Sequence, residues 1–205
     1  MKLYSRVGVV GRFRPLHNGS ATMLESLCEI SEHLVIGIGS INRYNERNPF
    51  TAEEVKAMID SFLSVKFTNY SFRFIPDFGH IPEFKDGKRW KQEIISQLGK
   101  LDLFVSGNDY VRQLLSDVYI CRHPVEFIPF EKRIPLSGTD VRIEMAKNSN
   151  WQNLVPKEVS EYLQSHSLDE RFRREFGLYT LSLLVSGYSS PKNIAEEMQI
   201  IGGAK

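Results

Sequence analysis

Cysteine is scarce: only Cys28 and Cys121 occur in 205 residues, far apart and without another Cys or a His at metal-ligand spacing. That leaves no disulfide framework and no zinc signature, and it makes a reducing cytoplasm the expected location. An excess of either charge is missing too. Lys and Arg total 26 against 25 for Asp and Glu, a formal +1 with a pI near 7.8, so a broad basic face for polymeric nucleic acid is not expected. Long apolar runs are absent. The most apolar late segment, Gly177 to Gly187, falls far below the ~20 residues that span a bilayer, and no membrane role is expected. The opening MKLYSRVGVVGRF is broken by Ser5 and Arg6 and reads as neither a signal nor a transit peptide. Repeats and low-complexity stretches are lacking. Gly37-Ile38-Gly39-Ser40 lacks the third glycine of a dinucleotide fingerprint, which argues against an NAD-dependent dehydrogenase.

What is there is an ordinary globular balance, 41% hydrophobic and 25% charged, long enough for one domain with an appendage. Leu3 to Val10, His33 to Gly39, Ser71 to Pro76 and Leu101 to Ser106 read as strands, and a further strand is expected within Val125 to Ile128. Helical spacing follows Ser20, which is placed to cap its first turn, and a Thr51/Glu54 capping box opens a helix to about Leu63. Further helices are expected over Trp90 to Leu98, Tyr110 to Leu115 and Asp140 to Lys147. Strands alternating with helices predict an α/β fold, a Rossmann-like parallel sheet with flanking helices. From Trp151 on the signal is helical, with Pro156 at an N1-like position and a second start signal at Ser190-Pro191, so a helical C-terminal extension is expected. In it, the run Asp169 to Glu175 reads as a solvated face of paired charges. Phe172, Phe176, Tyr179 and Leu183 read as a stripe that packs on the body or on a neighbouring subunit.

A parallel sheet binds ligands beyond the carboxyl ends of its strands, and the informative residues fall there. Gly11 to Ser20 joins a strand to a helix N-terminus, whose free N–H groups and dipole favour an anion. Gly11 and Gly19 allow close backbone approach, and Arg12 and His17 offer donors to phosphate oxygens. Ser137-Gly138-Thr139-Asp140-Val141-Arg142 opens another helix with two hydroxyls and an arginine one turn in. Two helix N-termini with arginines suit a triphosphate. Asp77 to Arg89 reads as a long loop that touches a ligand. The neutral total therefore hides a local concentration of charge, because Arg12, Arg14, Arg47 and Arg142 all fall on strand-end loops or helix starts.

Gly11 to Ser20 resembles the G-R-F-x-P-x-H-x-G-H signature of the HxGH nucleotidylyltransferase superfamily, and Ser137 to Arg142 resembles its S-x-T-x-x-R motif. Ile36 to Ser40, Asn48 to Glu53, Ser106-Gly107-Asn108 and Trp151 to Pro156 are similar, in order and spacing, to the archaeal-type nicotinamide-mononucleotide adenylyltransferases. The resemblance spans Leu3 to Leu163, which suggests a nucleotidylyltransferase-like domain over 1–165 and the helical extension over 166–205. It implies transfer of AMP from ATP, with Mg2+, to nicotinamide mononucleotide, giving NAD and pyrophosphate. The implied ATP contacts are Gly11, Arg12, Phe13, His17, Gly19, Ser20, Gly107, Asn108, Ser137, Thr139 and Arg142, with His17 and Arg142 catalytic. Ser40, Arg47 and Trp90 fall to the phosphorylated acceptor, Trp90 as a stacking platform. No resident metal ligands are implied. The family's habit of assembly implies a homo-oligomer.

One departure stands out. The second motif histidine is Ser20, which caps and bonds phosphate but carries no charge. Loss of such a contact costs on the order of a hundredfold in rate. Cytidylyl or adenylyl transfer to another phosphorylated acceptor, and a non-catalytic nucleotide-binding protein, therefore stay open.

Overall fold

Val7, Val9 and Val10 are buried on both faces of one strand, β1 (Tyr4–Gly11), as in a parallel strand covered by helices on each side. The computed structural model describes residues 2–185. Four more strands follow β1: β2 (Ser31–Gly39), β3 (Tyr70–Ile75), β4 (Leu103–Val105) and β5 (Cys121–Arg122). All pair in parallel in the order β3-β2-β1-β4-β5. Val9 lies opposite Ile36 on one side and Val105 on the other.

The period-2 alternation divides the core. Val7, Val9, Leu34, Ile36, Leu103 and Val105 face one layer, which takes Leu24 and Leu27 of α1 (Asn18–Ile30), Met58 and Ile59 of α2 (Ala52–Leu63) and Leu163 of α6 (Lys157–Ser165). Val10, Val35 and Phe104 face the other, filled by Ile94 and Leu98 of α3 (Lys88–Leu98) and Val111 and Leu115 of α4 (Asp109–Leu115). α5 (Gly138–Ala146) completes the first layer through Val141 and Met145. Because β2 and β3 lie on one side of β1 and β4 and β5 on the other, the switch point falls between the carboxyl ends of β1 and β4.

Several expectations shift. The fifth strand is Cys121–Arg122, not Val125 to Ile128. Ladder bonds from the Phe104 amide to Ile120 O and from the Ser106 amide to Arg122 O fix it there, and Pro124, without an N–H, ends it in a 3-10 turn. His17, not Ser20, is the N-cap of α1, with Ser20 three positions inside. Pro156 is likewise an N-cap and not N1, and Trp151–Leu154 is a separate 3-10 turn. The loop after β3 holds a 3-10 turn at Pro82–Phe84, and α3 begins at Lys88, before Trp90.

The extension is more tightly joined to the body than its charges suggest. α7 (Leu168–Phe172) passes through a π turn, Arg173–Gly177, into α8 (Leu178–Val185). Leu168 and Phe172 belong to the same core layer as β1 and β2. Asp169 is buried and pairs with Arg173 at 3.0 Å, while Arg171 pairs with Glu54 of α2, so the charged run is a half-buried clamp and not a solvated face. The π turn also rotates the aromatic stripe: Phe172 and Phe176 pack on the body, whereas Tyr179 is 54% exposed. The start signal at Ser190-Pro191 lies outside the described residues. No helix among the described residues is long and apolar enough to cross a membrane.

Candidate active site

At the switch point the chain leaves β1 at Gly11. The ring of Phe13, whose φ is 52°, folds back so closely that a Cβ on Gly11 would meet its Cζ at 2.7 Å. The turn delivers His17 to the start of α1 in extended backbone (φ −104°, ψ 164°). His17 Nδ1 accepts the Ser20 amide at 3.3 Å, while Ser20 Oγ accepts the His17 amide at 3.2 Å. An accepting Nδ1 puts the ring proton on Nε2. The imidazole is therefore fixed in tautomer and rotation by the residue that replaces the second motif histidine.

Across the cleft, α5 is capped by Ser137, whose Oγ accepts the Asp140 amide at 3.3 Å and donates to Asp140 Oδ2 at 2.8 Å. One turn on, Arg142 is 5% exposed and donates to Arg14 O at 2.7 Å and Thr139 Oγ1 at 2.9 Å. Thr139 thus orients the arginine.

The third wall is the end of β4, Val105-Ser106-Gly107. Asn108 is turned away from it: its Oδ1 accepts the Val111 amide at 3.1 Å and caps α4.

The cleft so formed gathers Gly11, Arg12, Phe13, His17, Ser20, Gly107 and Arg142 from the expected set. Arg14, Pro15, Met23, Ser106 and Gly138 join them, together with Val9, Val10 and Val105 at the floor. Its inner space measures about 60 Å³ and opens to solvent, room for a few waters. None of the lining residues is acidic, and three are arginines.

Arg14 contributes charge without being a flexible ligand. It is 2% exposed, and its guanidinium donates to Phe50 O, Gly39 O and Asn48 Oδ1 at 2.8–2.9 Å. Burial first, and the Arg12 and Arg142 guanidiniums next, push its pKa down to about 9, which still leaves it protonated at neutral pH. Three cations crowded at one cleft repel one another, and a polyanion relieves that repulsion.

Other expected residues are held elsewhere. Gly19 does not line the cleft; a Cβ there would meet Ile134 O at 2.9 Å, so its glycine serves packing against the chain's own backbone. Trp90 is 7% exposed in the second core layer with Ile75 and Ile94, where its ring offers no open stacking face. Ser40 is buried at φ 55° with its carbonyl turned to Arg43 N and Arg14. Arg47 is exposed on loop 40–50. Among the described residues no group of three His, Cys, Asp or Glu is arranged to hold a metal ion.

Fold and cleft together define a doubly wound α/β protein with an arginine-lined cleft between two helix N-termini at its switch point. The chain belongs to the cytidylyltransferase-like family, whose sequence model matches residues 9–144. It is 32% identical to the nicotinamide-nucleotide adenylyltransferase of Pyrococcus furiosus over 80% of this chain and 85% of that protein. Its identity to the enzyme of the same name from Methanocorpusculum labreanum is 36%, over 73% and 84% respectively. Among solved structures, a bifunctional NMN adenylyltransferase/ADP ribose pyrophosphatase of Francisella tularensis, complexed with AMP and a Mn ion, superimposes with a TM-score of 0.64 at 16% identity. That match covers 92% of this chain and 58% of the longer one, and it speaks for the fold.

Proposed function

We propose that this chain is an adenylyltransferase that joins the AMP moiety of ATP to nicotinamide mononucleotide, forming NAD and releasing pyrophosphate. The observation that carries this reading is the convergence of Arg12, His17 and Arg142 at the facing N-termini of α1 and α5. The relatives named nicotinamide-nucleotide adenylyltransferase, which this chain matches along most of their length, support the choice of substrates.

A phosphate oxygen of the acceptor attacks the α-phosphorus of ATP, the bond from that phosphorus to the α,β-bridging oxygen breaks, and pyrophosphate leaves with the electron pair. The nucleophile is already anionic, so no general base is needed; alignment and charge stabilisation suffice. His17 donates from Nε2 to the transferring phosphate, and Arg142, fixed by Thr139 and Arg14 O, neutralises charge on the leaving phosphates. A divalent cation such as Mg2+, arriving with ATP, would offset the charge of its phosphates. Ser20 acts through His17, so the serine departure from the family motif is compatible with turnover.

Purified protein with MgATP and nicotinamide mononucleotide is expected to form NAD and pyrophosphate in equal amounts. Parallel reactions with CTP, and with other phosphorylated acceptors, separate the cytidylyl alternative. Nucleotide binding without pyrophosphate release from any pair would sink the enzymatic reading.

A further inference from the structure

Loop 40–50, between β2 and α2, carries Arg47, and its tip is closed on itself. Asn45 Oδ1 accepts the Arg47 amide at 3.1 Å and the Asn48 amide at 3.0 Å. Such a tip does not fix its own place on the protein. Arg14 holds the base of the loop through Ser40 O, Asn48 and Phe50 O. Asn42 and Asp77 tie one flank to the loop after β3 by reciprocal bonds of 2.9 and 2.7 Å.

The remaining flank is held from the far end of the chain. The Tyr44 hydroxyl donates to Glu175 Oε2 at 2.5 Å, and the Tyr44 ring stands edge-on to Phe176 with centroids 5.4 Å apart. The Arg171 guanidinium lies 5.9 Å from the centre of the same ring. Arg171 also forks onto both oxygens of Glu54 at 2.6 and 2.7 Å and donates to Pro49 O at 3.1 Å. Glu54 is itself the carboxylate that accepts the Thr51 amide at 2.8 Å to open α2. One carboxylate thereby joins the end of the loop, the start of α2 and the C-terminal helices.

Burial and the bond to Glu175 push the Tyr44 hydroxyl up to about 12, which keeps it a donor. Burial raises the Glu54 carboxyl, but the bonds from Arg171 and Thr51 outweigh it and hold the group below its ordinary range, so the fork stays charged. A bidentate arginine–carboxylate pair sets orientation as well as distance. Glu175 and Phe176 reach the loop from within the π turn Arg173–Gly177, a device that re-aims side chains and recurs at functional sites.

We propose that Arg171 and Glu175 are positioning residues for the acceptor: through Tyr44, Pro49 and Glu54 the C-terminal helices set where loop 40–50 presents Arg47, the residue that the family resemblance assigns to the acceptor. The proposal rests on the adenylyl-transfer reading for its substrate and on the contacts above for its geometry.

The test uses the full chain in the variants Arg171→Ala, Arg171→Lys and Tyr44→Phe. Two readouts are compared: amide hydrogen exchange across residues 41–48, and the separate KM values for nicotinamide mononucleotide and ATP. Arg171→Ala is expected to speed exchange and raise the acceptor KM by about tenfold, as for a lost charged hydrogen bond. The KM for ATP and kcat should move by less than about twofold, because the α1 and α5 contacts remain. Lysine should not restore the acceptor KM, since an ammonium cannot make the fork. Tyr44→Phe keeps the ring and removes one bond, so roughly threefold in the same direction is expected if Arg171→Ala proves too unstable to read.

Unchanged exchange in both variants overturns the anchoring. Faster exchange with an unchanged acceptor KM, or a uniform fall in activity tracking lost folded protein, overturns the positioning role. A wild-type chain that makes no dinucleotide sinks the adenylyl-transfer reading; exchange then judges the anchoring by itself.

Discussion

The two helices that open on the cleft carry the same reciprocal cap in different chemistry. At α1 the capping side chain is His17, which is also the proposed phosphate donor, and its partner is the neutral Ser20. At α5 the cap is Ser137 with Asp140, and the proposed phosphate contact is Arg142, one turn further on and held by Thr139. Folding and chemistry are therefore fused in one residue at the first helix and divided between residues at the second. Histidine is an uncommon cap. Using it there locks the tautomer, at the cost of making the site sensitive to any change that loosens the start of α1.

The largest effects should come from the two proposed phosphate contacts, His17 and Arg142, and the comparison separates their origins. Arg142→Ala is expected to lower kcat/KM by about a thousandfold, the upper range for loss of a charge-stabilising donor, and Arg142→Lys should recover little because the fork to Arg14 O and Thr139 is lost. His17→Ala should cost about a hundredfold in rate and also about 1 kcal/mol in stability, because the Ser20 amide loses its acceptor. His17→Asn is the discriminating variant: asparagine caps well, so thermal unfolding should return toward wild type while the rate stays low. If rate and stability recover together, His17 acts as a cap alone and the contrast between the two helices collapses.

Those assignments also mark how far sequence reasoning reaches. The strand expected over Leu3 to Val10 and observed over Tyr4–Gly11, the turn after it and the Thr51/Glu54 capping box are legible because each is a local pattern of spacing and residue type. β5 was not, since two residues carry no periodicity and its position depends on ladder bonds to β4. By propensity serine outranks histidine as a cap, which points to Ser20; the geometry reverses the roles. Arg14 read as a loop cation, and what holds it are carbonyls from 25 to 36 positions away. The charged run in α7 shows the same limit: its internal spacing suggests a solvated face, but Glu54 lies 117 positions upstream of Arg171. Trp90 is expected at the start of a helix, as a stacking platform; the helix begins two residues earlier, at Lys88, and turns Trp90 into the core. Caps and turns set by neighbouring residues are legible in the sequence; contacts such as Arg14 with Gly39 and Phe50, or Arg171 with Glu54, are not, because their partners lie far along the chain.

Ser20→Ala is expected to fall between the extremes. It leaves the backbone amide that holds His17 Nδ1 but removes the hydroxyl that accepts the His17 amide and donates to its carbonyl oxygen at 3.0 Å. The imidazole keeps its tautomer and loses part of its support, so roughly tenfold in kcat with little change in either KM is expected. A loss as large as that of His17→Ala would mean that the serine itself meets the phosphate.

The smallest effect on rate is expected where cap and chemistry are divided. Ser137→Ala removes the acceptor of the Asp140 amide and the partner of Asp140 Oδ2, which should cost about 1 kcal/mol of stability, read as a lower midpoint in thermal or urea unfolding. Arg142 keeps both of its bonds, to Thr139 and to Arg14 O, so kcat/KM at a temperature where the variant is fully folded should stay within about threefold of wild type. MgATP at a hundred times its Kd should restore about 2.7 kcal/mol to wild type and variant alike, because the ligand adds to the native state irrespective of how the helix is capped. If instead the rate falls with the cap, the N-terminus of α5 is itself a phosphate ligand whose amides must be held in register, and the division of labour drawn between the two helices does not hold.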